Sequence, residues 1–279
     1  MKIILIGTPQ FGAIILEGLI NAGYKPILVI TETDKPVGRK QIITPPPVKL
    51  LARKHKINLI QPAEIRSTKS EIRNLEPDLI IVAAYGQILP KETLDIPKYG
   101  CLNVHPSLLP KYRGPSPIQT TILNGDTETG VTIMKMDEKL DHGEIISNST
   151  FPFKKITYPE LHNNLAKLGV KLLIDTIPKW VAGEIKAKSQ DESKATYTKL
   201  IKKEDGLIDW KNTAEYIERQ VLALNPWPGT YTLYKDKNLK ILKAEIINDK
   251  LIIKEVQLEG KKPMKFEDFL RGHKDYANT

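Results

Sequence analysis

The densest chemistry in the chain lies between positions 103 and 117, which read Asn103-Val-His105-Pro-Ser-Leu-Leu-Pro110 and then Lys-Tyr-Arg113-Gly-Pro-Ser-Pro117. The block begins where a short apolar run ends, and open α/β sheets bind ligands beyond the carboxyl ends of their strands. Asn103 and His105 are two apart, so in an extended segment they share a face and bring an amide donor and a titratable imidazole to one spot. Such a pair can stabilise the oxyanion formed when an amine attacks a carbonyl. A nearby carboxylate would orient the imidazole or accept protons from the amine. Asp141, in Leu140-Asp-His-Gly-Glu144, is the candidate because it falls in a loop between predicted strands. The plainer reading of the same residues is that Asn103 caps a turn and His105 packs beneath the prolines.

Metal and serine chemistry fit poorly. His55, His105, His142, His162 and His273 lack the close spacing of a zinc motif, and no G-x-S-x-G elbow is present. His142 is the nearest rival to His105. Gly7-Thr8-Pro9-Gln-Phe-Gly12 occupies the place of a nucleotide-binding fingerprint, but its spacing is wrong and Pro9 removes an amide that a phosphate cradle would use. That turn either contacts a substrate or lets strand and helix approach closely. Lys25, Lys35, Arg39, Lys40, Lys49, Arg53, Lys54 and Lys56 outweigh Glu32 and Asp34 between positions 25 and 56, a stretch that includes a Gly- and Pro-rich loop at 33 to 47. A flexible basic loop beside the ligand edge can grip RNA phosphates, and it can equally be a solvated surface.

The elements that must position these residues alternate. Ile3 to Ile6, Ile27 to Ile30, Leu79 to Val82 and Leu102 to Val104 read as buried parallel strands, and segments 11 to 22 and 46 to 56 as crossover helices. The order implies an α/β sheet with helices on both faces. Val131 to Met134 and Ile145 to Ser149 add a mixed edge, and a helix from about Tyr158 carries Leu161, Leu165, Leu168 and Leu172 on one face, with Trp180 ending the region. Residues 183 to 198 are polar and small, a linker or a strap across the first domain. Asn212 is the expected cap of a helix with Ala214, Ile217, Val221 and Leu224 on its apolar side, stopped by Asn225-Pro-Trp-Pro-Gly229. Residues 230 to 257 read as about three short strands with turns at Asp236 to Asn238 and at Asn248-Asp-Lys250.

Composition sets the outer bounds. With 279 residues, 41% hydrophobic and 27% charged, the chain is an ordinary globular protein, and its net charge of +9 favours a polyanionic partner or solubility. Cys101 is the only cysteine, which excludes an intrachain disulfide and a Cys-rich metal site. The opening directly on a strand, Lys2 to Ile6, without the polar or basic lead-in and cleavage site of a targeting peptide, leads us to expect a cytoplasmic protein.

Taken together, these residues resemble the methionyl-tRNA formyltransferases. The resemblance runs through Gly7-Thr-Pro, Gly38-Arg39, Pro-Val-Lys49, Gln61-Pro62, Ala84-Tyr-Gly-Gln-Ile-Leu-Pro90, the 103 to 117 block and Gly130-Val-Thr-Ile-Met134. It continues in Lys203-Glu-Asp-Gly-Leu-Ile-Asp-Trp210, Asn225-Pro-Trp-Pro-Gly229, Leu258-Glu-Gly-Lys-Lys-Pro-Met264 and Asp268-Phe-Leu-Arg-Gly-His273. The central block alone is less specific, because other folate-linked formyltransferases share a similar Asn, His and Asp arrangement.

The resemblance implies a Rossmann-like formyltransferase domain with a mixed, mainly parallel sheet over 1–182, a linker over 183–204, and a small β-rich, tRNA-contacting domain over 205–279. The latter would be an abbreviated barrel of oligonucleotide-binding type or an open sheet, since Leu239 to Glu259 is short for a complete barrel. It implies transfer of the formyl group of a 10-formyltetrahydrofolate co-substrate to the α-amino group of methionyl initiator tRNA, without a metal. Asn103, His105 and Asp141 would be the catalytic trio, with Asp141 assisting proton transfer while holding His105 or a water. Folate contacts would fall on Ala84, Tyr85, Gly86, Gln87, Ile88 and Leu89, on Ser107, Leu108, Leu109 and Pro110, and on Glu138 and Leu140. Contacts to tRNA or substrate would fall on Thr8, Pro9, Lys35, Gly38, Arg39, Lys40 and Arg113. A monomer is the default expectation. The competing accounts are folate-dependent formylation of a nucleotide-linked amino sugar, and an RNA-binding module without activity.

Overall fold

A computed structural model describes residues 1–38 and 40–276. The central strands of its main sheet are too apolar to face water on either side. In chain order the elements are β1 (Ile3–Gly7), α1 (Gln10–Asn21), β2 (Leu28–Ile30), β3 (Lys35–Val37), β4 (Ile42–Thr44), α2 (Pro47–Lys54), β5 (Asn58–Ile60), α3 (Lys69–Leu75), β6 (Leu79–Ala83), α4 (Lys91–Leu94) and β7 (Cys101–His105). Then come α5 (Pro117–Leu123), β8 (Glu128–Lys135), β9 (Ile145–Pro152), α6 (Tyr158–Val181), α7 (Ala214–Leu224), β10 (Thr230–Tyr234), β11 (Lys237–Ile247), β12 (Lys250–Leu258), β13 (Met264–Lys265) and α8 (Phe266–Gly272).

Seven strands form one sheet in the order β5-β2-β1-β6-β7-β8-β9. The first five are parallel, and β7, β8 and β9 pair antiparallel at the edge. Chain order reverses direction between β1 and β6, so the loops after Gly7, Ala83 and His105 share the end of the sheet where such folds bind ligands. Residues of β1, β6 and β7 are buried along their whole length, as strands covered on both faces must be.

The glycines of the first turn serve packing. A Cβ on Gly7 would lie 2.6 Å from the carbonyl oxygen of Ala83, and one on Gly12 would lie 2.8 Å from the same atom. Only bare Cα atoms let the start of α1 come down onto the β1 and β6 ends. Gly7→Ala is expected to lower stability by roughly 1 to 3 kcal/mol, read as a lower urea midpoint at unchanged slope. A wild-type midpoint would mean that the strand and helix can part freely.

Several expectations change on contact with the fold. The buried stripe of α6 runs Leu161, Leu165, Ala166, Leu173 and Ile177, whereas Leu168 and Leu172 are only half-buried. The leucine count misleads here because small residues, among them Gly169 against Val104, occupy the closest approach. Thr213, not Asn212, caps α7, its hydroxyl accepting the Tyr216 amide at 3.2 Å. The 33–47 segment is a hairpin, with β3 and β4 pairing antiparallel from Lys35↔Thr44 to Val37↔Ile42. Residues 183–197 form a strap, tied to β9 by reciprocal amide bonds of Lys188 and Ile145, each 2.8 Å.

The chain divides into two compact units that interleave in sequence, instead of following one another as 1–182, 183–204 and 205–279. One comprises 1–115, 128–152 and 162–197; the other comprises 116–127, 153–161 and 198–279. In the second, β10-β11-β12-β13 form an antiparallel sheet in which, among the described residues, β10 and β13 do not pair, so it is open. Its main strands are longer than expected, because both hairpins are as tight as hairpins can be. Lys235-Asp236 and Asn248-Asp249 are two-residue turns with positive φ at both positions, the geometry that matches strand twist. Leu239, Ile241, Val256 and Leu258 face Ile217 and Val221 of α7 and Phe266 and Phe269 of α8. No helix among the described residues is long and apolar enough to cross a membrane.

Candidate active site

Asn103 and His105 stand on one face at the end of β7, flanked by β6 on the parallel side and β8 on the antiparallel side. Both are buried. Asp141 arrives from the β8–β9 connection, whose neck is pinched at Gly143: a Cβ there would overlap the Lys135 carbonyl oxygen at 1.9 Å. The three side chains meet. Asn103 Nδ2 donates to Asp141 Oδ1 at 3.3 Å, and His105 Nδ1 lies 3.6 Å from the same oxygen. The Gly114 amide donates to Asp141 Oδ2 at 2.7 Å.

The imidazole is oriented differently from expectation. His105 Nε2 is 2.9 Å from the Tyr112 carbonyl, and a carbonyl can only accept, so Nε2 carries a proton. In the neutral ring Nδ1 then holds a lone pair directed toward Asp141, across a gap too long for a direct hydrogen bond. The Tyr112 carbonyl, not Asp141, fixes the ring. His142 is excluded as the partner of Asn103, because its Nδ1 is bonded to Asp137 on the exposed side of the loop.

The Ala84–Leu89 segment divides by alternation. Tyr85 and Leu89 enter the core, while Ala84, Gly86 and Ile88 are exposed. Burial, with Glu32 nearby, pushes the Tyr85 phenol up to about 12, so it stays neutral. Gln87 is engaged with the chain itself, accepting the Ile65 amide at 2.9 Å and donating to the Ala63 carbonyl at 3.2 Å. Ile88 is 70% and Leu140 51% exposed, apolar surface that a flat ring system would cover. Lys91 Nζ lies 3.9 Å from Glu138, linking the start of α4 to the β8–β9 connection.

Several of the expected contacts are corrected. Ser107 is fully buried and gives its hydroxyl to the Lys111 carbonyl at 2.6 Å, so it holds a turn. Leu109 is buried with its amide on Thr132, and Leu108 packs against Gly130. The sequence sets Arg113 against substrate, yet it is 0% exposed and its guanidinium is occupied by Gln190, Glu192 and Tyr197. The Glu192 carboxylate raises the guanidinium's pKa and is itself held below the ordinary carboxylate range by it. Pro110 contributes its carbonyl to Thr196.

At the β1 turn, the Thr8 amide donates to the Ala84 carbonyl at 3.1 Å and its hydroxyl accepts the Glu32 amide at 3.3 Å, which ties three loops together; Pro9 caps α1. In the hairpin, Lys35 pairs with Glu32 at 2.9 Å, and Gly38 and Lys40 are exposed; Arg39 lies outside the described residues. Lys49 is buried between both oxygens of Asp34 at 2.7 Å, and Gln61 donates to Asp34 at 2.8 Å. Lys49 and then Gln61 hold the Asp34 carboxyl below its usual range. Lys49 therefore roots the hairpin instead of offering charge to a partner. Among the described residues no three His, Cys, Asp or Glu side chains gather as a cation would require. A concavity lined by Lys2, Arg73, Asp78 and Lys98 lies at the amino ends of β1 and β6, opposite this chemistry.

Residues 1–177 match a protein-family model described as formyl transferase, and residues 200–252 match one described as formyl transferase, C-terminal domain. The methionyl-tRNA formyltransferase of Bacillus subtilis is 44% identical over 299 residues, covering 97% of this chain and 94% of that one. That of Citrifermentans bemidjiense is 43% identical over 98% of this chain and 94% of its own. The chain belongs to the methionyl-tRNA formyltransferase family. The fold is shared more widely: an N-formyltransferase from Helicobacter canadensis, solved with folinic acid and dTDP-3-aminofucose, superposes with a TM-score of 0.69 at 21% identity, over 95% of this chain and 98% of that one.

Sequence reasoning missed the residues that hold this candidate site together. Gln190, Thr196 and the Tyr112 carbonyl carry no periodic or motif signal. The available hint was Arg113 itself, since an arginine set among prolines in a buried loop needs acceptors from elsewhere in the chain.

Proposed function

We propose that the chain transfers the formyl group of 10-formyltetrahydrofolate to the α-amino group of methionyl initiator tRNA, with Asn103, His105 and Asp141 as its catalytic residues. The observation that carries this reading is the identity of more than two-fifths to methionyl-tRNA formyltransferases across nearly the whole chain, both domains included. Meeting of the three side chains at one strand end supports the assignment of the trio.

In the reaction the amine nitrogen bonds to the formyl carbon, the bond from that carbon to the folate N10 breaks, and a proton passes from the amine to N10. His105 Nδ1 and Asp141 are bases directed at the same spot. Once Nδ1 takes the amine proton it becomes a donor to the oxyanion and an ion-pair partner for Asp141, then returns the proton to the leaving nitrogen. Asn103 retains a second N–H on Nδ2 for the same oxyanion. Ala84, Gly86, Ile88 and Leu140 would hold the folate, small or apolar groups suited to a flat ring. Lys35, Gly38 and Lys40 of the hairpin, with Arg39 between them in sequence, would meet tRNA phosphates, aided by the exposed apolar side chains of Val37, Ile42 and Ile43. We place this activity in the cytoplasm and in a monomer.

The deciding assay offers 10-formyltetrahydrofolate with charged initiator tRNA, charged elongator methionine tRNA and a dTDP-linked amino sugar. The expected result is transfer to the initiator in preference to the elongator, and none to the sugar. Transfer to the sugar alone would replace this reading, and binding of tRNA without any transfer would leave an RNA-binding module.

A further inference from the structure

Asp141 sits where its backbone should not rest unaided. Its φ of +47° is left-handed, a conformation that disfavours a residue with a Cβ. Something must hold it. The Gly114 amide holds the carboxylate, but the peptide on the other side of Asp141 is held by a residue almost fifty positions away. Gln190 Nε2 donates to the Asp141 carbonyl at 2.9 Å and to the Gly143 carbonyl at 2.7 Å, gripping the loop on both sides of His142. With both N–H groups used, its Oε1 accepts from Arg113 Nε at 3.1 Å and Nη2 at 2.8 Å.

Arg113 makes that grip rigid. Its remaining bonds run to Glu192 at 2.6 and 3.0 Å and to the Tyr197 hydroxyl at 3.0 Å, so its five N–H groups are all engaged by three residues of the strap, Gln190, Glu192 and Tyr197. The residue after Arg113 is Gly114, whose amide holds the Asp141 carboxylate. One buried arginine thus fixes the catalytic carboxylate from two directions: through its own backbone neighbour and through the Gln190 amide.

We propose that Gln190 is a positioning residue for Asp141, and that the strap over 183–197 is part of the active site because it delivers this amide. The proposal rests on the formyl-transfer reading for its consequence in catalysis, though not for its geometry. Removing the amide leaves Asp141 free to relax from its left-handed backbone and to swing its carboxylate away from Asn103 and His105.

Two variants separate this role from a merely structural one. Gln190→Ala removes both the grip on the loop and the anchor to Arg113. Gln190→Glu keeps an acceptor for Arg113 but turns a carboxylate oxygen toward two carbonyls, so it preserves the strap and loses the grip. Both are expected to lower kcat roughly 10- to 100-fold, as small misplacements of reacting groups do. KM for tRNA should stay near wild type, and the pH profile of kcat should shift. The ratio of Gln190→Glu to Gln190→Ala activity, in which protonation of the substrate amine cancels, should rise as pH falls and the introduced carboxyl protonates into a donor. In the same variants, deuterium exchange of residues 136–144 without substrate should quicken while the rest of the unit keeps its protection. Wild-type exchange of that loop, or wild-type kcat and pH profile in Gln190→Glu, would overturn the proposal. A wild-type protein that formylates neither tRNA would sink the functional reading alone, and the exchange measurement would still decide whether Gln190 holds the loop.

Discussion

Asp141→Asn is expected to lower kcat by about 10²- to 10⁴-fold, the range for loss of a positioned acid–base group, in a protein that still folds. The substitution is nearly isosteric, yet whichever way its amide is placed one of the two accepted bonds is lost. Asp141 accepts from the Gly114 amide through one oxygen and from the Asn103 amide through the other. An asparagine here must point its NH2 at one of those donors, so it either breaks a bond or turns its carbonyl away from His105. The charge that would balance a protonated imidazole is lost as well, so KM for tRNA should change little while the chemical step slows. The check is single-turnover formyl transfer at saturating tRNA, with circular dichroism to confirm the fold. A variant retaining nearly all of the wild-type rate would remove Asp141 from the mechanism and leave His105 Nδ1 as the only base in the trio.

The way this site emerges explains which parts the sequence could disclose. Buried parallel strands advertise themselves, because a run such as Leu79 to Val82 has no polar face to conceal, and the i, i+2 spacing of Asn103 and His105 places them together without any knowledge of the fold. Asp141 is legible because connections between neighbouring antiparallel strands are short. Arg113 is not. Next to prolines in a basic chain it looks like a phosphate ligand, and only the fold brings it the acceptors that occupy its guanidinium. Ser107 misleads for the same reason: a hydroxyl within the motif resembles a ligand until the turn closes on the Lys111 carbonyl. Lys49 reads as surface charge, and the buried pair with Asp34 withdraws it. In each case the residue type is right for the reaction, and a local bond takes it first. The interleaving of units has no sequence signal, since 116–127 and 153–161 are ordinary connections of the first sheet that happen to pack with the later residues.

The second large effect is expected at Asn103, where two variants differ in an instructive way. Asn103→Ala removes the amide donor and should lower kcat by roughly 10²- to 10³-fold, as loss of one oxyanion donor does. Asn103→Asp sets a second carboxylate beside Asp141, where the amide now makes a contact of 3.3 Å. Two carboxylates so close cannot both ionise readily, so one is pushed up in pKa and the pair holds a proton as pH falls. Once protonated, the introduced carboxyl offers an O–H where the amide offered an N–H. The ratio of Asn103→Asp to Asn103→Ala activity should therefore be near or below one at alkaline pH, where the second charge repels the oxyanion, and should rise as the pair takes up its proton. Using the ratio cancels the protonation of the substrate amine, which slows both variants alike. A flat ratio across the range would mean that position 103 contributes shape and no hydrogen bond to the developing charge, and the stabilising donor would then have to be sought on the loop that follows Ala83.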